Sequence, residues 1–231
     1  MDPEFSRLID AAESIATSGR WDAVIARIKE LAAHTGPDNA WHVQVIASLC
    51  SHVFSEYLLL KRAHGTDPQD DSSLLAWRAR NLLELSVWSM YCTQTRENAH
   101  RFYEDAGRDV IGIFKAFTKW GTPRMSTEWI GSIEQSKIDL SQRAEAEGIA
   151  SLDGPYKSVS DAAVECGIGD QFAVSYKLLS KFAHPTAMRV LAGPDDAKNA
   201  LQRDWFFSQG CLFFAGAFEY LEPQLIGLTR W

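Results

Sequence analysis

The chain has 231 residues, 46% of them hydrophobic, which is ample for a sizeable core and bounds the protein to one large domain or one domain with a small appendage. Its 23 basic and 30 acidic residues leave a net charge of −7, which excludes a global attraction to a nucleic-acid backbone or an anionic membrane. Cys50, Cys92, Cys166 and Cys211 lie far apart with no CxxC pair, so they read as free, buried thiols rather than a structural metal knuckle.

No signal-peptide pattern opens the chain, and no run reaches the roughly 18 apolar residues that a spanning helix needs. The expected setting is therefore a reducing cytoplasm with no membrane association. Residues 1–5 (MDPEF) read as a cloning remnant and are set apart from the fold.

From Ser6 to about residue 35, apolar positions predict two short amphipathic helices parted near Gly19, an N-terminal helical segment. The main bundle is expected over 37–231. Gly36-Pro37 starts a helix with Asp38 placed to cap it, and Trp41, Val45, Leu49, Val53, Tyr57 and Leu60 lie along one face to about His64. Gly65 to Ser72 is a polar loop ending in a cap, before an apolar helix from Leu74 to Gln94. A helix from Glu97 to Trp120 stops at Gly121-Thr122-Pro123, and a more polar one runs from Met125 to about Gly148. Trp120 and Trp129, flanking that turn, are the aromatics expected to be most exposed. Val159 to Cys166 is a short helix, Gly167 and Gly169 separate it from the next, and Gly193-Pro194 introduces a long helix that is apolar almost all round to Leu221. With no alternating strand pattern and no repeat, the class is all-α: a single-domain bundle of long antiparallel helices.

The polar residues that interrupt apolar helix faces are the candidate site. Ser180 and His184 stand one turn apart beside the stripe of Phe172, Tyr176, Leu179 and Ala183, and Pro185 forces His184 to the helix end. There the macrodipole favours a protonated imidazole while burial opposes it. Arg80 and Glu84 sit four apart on the apolar 74–94 helix, where unpartnered charges are costly, so they are expected to touch Ser180 or His184. These five residues, Arg80, Glu84, Tyr176, Ser180 and His184, form the expected ligand-binding set, with His184 the candidate catalytic group. Two metal readings are weaker: Glu97-x-x-His100 supplies one of the two such motifs a di-metal bundle requires, and His52 and Glu56 stand four apart. No metal and no cofactor are expected.

Arg-Asn-Leu-Leu-Glu around Arg80 and Glu84, followed by Tyr-x-x-Leu-Ser-x-x-x-His-Pro from Tyr176 to Pro185, resembles an uncharacterised, mainly bacterial helical family of unknown function over about Leu74 to Phe218. The resemblance implies a helical fold and makes Arg80, Glu84, Ser180 and His184 signature positions. A second similarity is to the HEPN superfamily of nucleotide-binding and ribonuclease domains. This chain departs from that pattern, having no histidine at the required distance after Arg80-Asn81 and Lys181 where an arginine would precede His184. The expected function is a binding or regulatory protein whose inter-helical pocket takes a small polar ligand or a protein partner, as a monomer or an oligomer. The alternative is a metal-independent ribonuclease of a toxin or defence system, with Lys181 or Arg189 as the cation beside His184.

Overall fold

Two helices apolar on nearly every side, α4 (Ser73–Gln94) and α10 (Asp196–Gly227), make the most extensive contact in the protein. The computed structural model describes residues 3–65, 72–146, 148–149, 152, 154–192 and 196–228. Around the central pair stand α1 (Pro3–Thr17), α2 (Arg20–His34), α3 (Pro37–His64), α5 (Arg96–Gly121), α6 (Thr127–Ala146), α7 (Val159–Glu165), α8 (Gly169–Ala183) and α9 (Ala187–Ala192). All regular structure among the described residues is helical, which establishes the all-α class.

The core follows from the apolar stripes. Val45, Leu49, Val53, Tyr57 and Leu60 of α3 meet Phe207, Cys211, Phe214 and Phe218 of α10, with Tyr57 stacked on Phe214 at 4.1 Å. Phe206, Phe214 and Phe218 are fully buried, each contributing about 1.5–3 kcal/mol relative to exposure. Between α3 and α10 the Leu60 side chain packs so closely on Gly210 that a Cβ there would lie 2.3 Å from Leu60 Cδ2. The predicted break at Gly19 is a left-handed residue with φ of 78° between α1 and α2, a conformation that glycine adopts without steric cost.

Five expectations are corrected or extended. The first helix reaches back to Pro3, so residues 3–5 share in it, and Phe5 lines an apolar groove with Phe182 and Trp205. Asp38 lies inside α3, whose cap position is Gly36. Ser72 makes no cap bond: its hydroxyl donates to Gln202 Oε1 and its N–H to Asn199 Oδ1, both 3.0 Å, tying the start of α4 to α10. The last helix continues through Pro223 to Gly227, because Leu225 and Leu228 are buried and Arg27 of α2 donates to the carbonyls of both. Finally, Asn39–His64 is long and apolar enough, by length and composition, to cross a membrane; here it is a core helix, packed on α4, α10 and α5. The loop expected over Gly65 to Ser72 and the Gly193-Pro194 turn lie largely outside the described residues.

Candidate functional site

Helix α8 packs on α4 through Phe172 and Leu179, which are buried, and this sets Tyr176, Ser180 and His184 along the border of the seam. His184 is the residue after the last helical turn, with φ −114° and ψ 154°, the extended conformation that a following proline imposes. Its ring is exposed.

Arg80 of α4 is the hub. Its Nε donates to Glu84 Oε1 at 3.0 Å, one Nη donates to the Tyr176 hydroxyl at 2.6 Å, and the other lies 2.9 Å from His184 Nε2. The guanidinium also lies over the Tyr176 ring, 4.6 Å from its centroid. Arginine only donates, so His184 Nε2 can enter this contact only as the acceptor. The Arg80 side chain is 19% exposed and that of Glu84 30%, so the cluster is a partly wet rim rather than a sealed core network. Four of the five expected residues thus converge. Ser180 does not join them: its Oγ is buried with no hydrogen-bond partner within the described residues.

Arg80 and Asn81, neighbours in sequence, turn to opposite seams. Asn81 Nδ2 donates to Glu56 Oε1 at 3.1 Å, and Arg78 Nη1 reaches both oxygens of the same carboxylate at 3.1 and 3.2 Å. This second network joins α3 to α4 and escaped the sequence reading, although a glutamate on so apolar a helix was its signal. A third, equally unforeseen, centres on Asp105, 4% exposed, which accepts from Arg108 Nη1 at 2.7 Å and from the Lys157 N–H at 3.1 Å. It pins the segment before α7 to α5.

The residues of the two metal readings have other partners. The Glu56 carboxylate is engaged by Arg78 and Asn81, and the exposed His52 ring bonds its own helix at Ser48 O. Glu97 and His100 border an open groove with Trp41, Arg96 and Arg101, where His100 faces Glu104 at 3.7 Å and the Trp41 ring edge-on. Among the described residues no three His, Cys, Asp or Glu side chains stand close enough to hold a metal ion. Lys181 is in the last turn of α8, where its carbonyl accepts from Thr186; the Arg189 side chain is outside the described residues.

The cysteines are all free. Cys50, Cys92 and Cys211 are buried, with burial pushing the Cys50 and Cys211 thiols up to about 12 and the Cys92 thiol upward too, whereas Cys166 is only half-buried. Most aromatics fill the core as expected. Trp120 is exposed, but Trp129 is half-buried, edge-on to Phe117 and close against Gly121, where the missing side chain makes room for it.

Residues 57–199 match a family described as of unknown function, DUF5677. No curated protein and no solved structure matches the chain. The matched span covers well over half of the sequence, from within α3 to the start of α10, and contains Arg80, Glu84, Tyr176, Ser180 and His184. The chain therefore belongs to the DUF5677 family.

Proposed function

We propose that this is a binding or regulatory protein that takes a small anionic ligand, or an acidic side chain of a protein partner, at the Arg80–His184 rim between α4 and α8. The observation that carries this reading is the three-way anchoring of Arg80. Glu84 and Tyr176 hold the guanidinium in one orientation from the inner side, so little side-chain freedom remains to be lost on binding. The His184 contact is on the exposed side and is the replaceable one. A carboxylate or phosphate oxygen would accept from Arg80 in its place, while His184 turns its N–H to the same anion. The four free thiols support a reducing, cytoplasmic setting.

The test is calorimetric titration of the chain with inorganic phosphate, adenosine 5′-monophosphate and glutarate. Saturable binding of at least one, lost in both Arg80→Gln and His184→Ala while the fold persists, is the expected result. Heats absent for all three, or unchanged in the variants, would remove it.

The second reading is a metal-independent ribonuclease, favoured by the same 2.9 Å contact, which supplies a histidine for proton transfer beside a cation for a phosphate. Cleavage of a short single-stranded RNA in excess chelator, abolished by His184→Ala, would replace the binding reading with this one, as would toxicity on expression relieved by that substitution.

A further inference from the structure

From Ala106 to Trp120, α5 turns a nearly uninterrupted apolar face to the outside. Val110, Ile113, Phe117 and Trp120 are 38%, 53%, 47% and 50% exposed, and Ala106 and Ala116 beside them are exposed too. Their spacing of three, four and three residues is that of the a and d positions of a heptad, so they form one straight seam. Helix α6 packs chiefly on α5 and flanks this seam without covering it. The open apolar area is on the order of 400–500 Å², the size of the largest patch on a typical monomer and about half the roughly 800 Å² each partner gives to a standard interface.

We propose that the occupant of this face is a second copy of the chain, paired antiparallel through α5. A heptad seam is best covered by another of equal spacing. Antiparallel pairing about Lys115 sets Val110 against the Trp120 of the other copy and Ile113 against its Phe117, large against small along the whole seam. Charge selects the same direction. Asp109 borders one end of the seam, next to Val110, and Arg124 stands at the other, lying over the Trp120 ring at 5.5 Å. Antiparallel packing brings acid to base at both ends, whereas parallel packing opposes like to like. The two α5–α6 hairpins then form a four-helix arrangement.

Sedimentation equilibrium of the full chain tests this. A mass of twice 25.8 kDa is expected, reduced to one copy by Ile113→Glu with Phe117→Glu at unchanged helical circular dichroism, and unaffected by Leu191→Glu at the exposed end of α9. Asp109→Lys, which leaves the apolar seam intact, is expected to weaken the dimer at least tenfold, and a further Arg124→Asp to restore it. In a Cys166→Ser background, Val110→Cys combined with Trp120→Cys should cross-link two copies under mild oxidation, and Val110→Cys alone should not. A wild-type monomer at about 100 μM, a dimer indifferent to the glutamate pair or to Asp109→Lys, cross-linking by Val110→Cys alone, or a different protein seated on the face would each overturn the proposal.

Discussion

His184 and Arg80, 104 residues apart in the chain, meet at 2.9 Å on the outer side of the α4–α8 seam, and the histidine is the more exposed of the two. Removing it strands nothing, because Arg80 keeps Glu84 and Tyr176. His184→Ala is therefore expected to change unfolding free energy by less than about 1 kcal/mol in urea denaturation. Arg80→Ala, which loses two anchored bonds and the ring contact, should cost about 1–2 kcal/mol. A loss above about 3 kcal/mol for His184→Ala would make the cluster a structural tie and not a site.

Glu56 should prove the more important polar group for stability. Its side chain is 13% exposed and serves Arg78 and Asn81 together. Glu56→Ala leaves a largely desolvated guanidinium and amide without their acceptor and is expected to cost about 2–4 kcal/mol. The comparison to make is with His184→Ala under one denaturant, and the reverse ranking would contradict the assignment.

The packing of Leu60 on Gly210 sets a third expectation. The α3–α10 crossing has no room for a methyl group at Gly210, since its nearest neighbour is Leu60, itself fully buried. Gly210→Ala normally favours a helix, yet here it should destabilise by about 1–3 kcal/mol through overpacking. A raised melting temperature would show that the two helices can part at little cost.

Acid should weaken the fold partly through His42. Burial first, and the nearby Arg96 second, hold its proton affinity below the ordinary value of 6.5. The unfolded chain then binds this proton more readily than the folded one, so the stability is fully present above 6.5 and is lost as pH falls through the lowered folded value. Melting temperatures measured at about pH 7.5 and about pH 5 should differ less in His42→Gln than in the wild type. An unchanged difference would assign the acid sensitivity elsewhere.

Thiol chemistry offers a simple check on the core. In native protein at pH about 8, only Cys166 should react with a disulfide reagent, and Cys50, Cys92 and Cys211 should become reactive only on unfolding, because burial keeps them as protonated thiols. Rapid labelling of a second cysteine would show that the bundle opens locally.

The helices were legible because their apolar residues recur at helical spacing, and the Arg80 cluster was legible because charge on an apolar face demands a partner. What stayed hidden depends on which face meets which. The text RN at 80–81 does not say that its two side chains serve different seams. Pro223 signals a stop that the buried Leu225 and Leu228 override. Ser180 has the spacing of the site and not its contacts, since a hydroxyl one turn from Tyr176 and His184 can still point away from both.

The dominance of the α4–α10 contact also bears on how the chain comes to fold. Among the described residues five helices separate these two along the sequence, so the surface that α4 must cover stays open until its distant partner has been made. As the chain leaves the ribosome, α3 and α4 present their bare apolar sides together, which is the condition that calls for a chaperone. Closing so long a loop also retards the final collapse relative to a bundle of nearest neighbours.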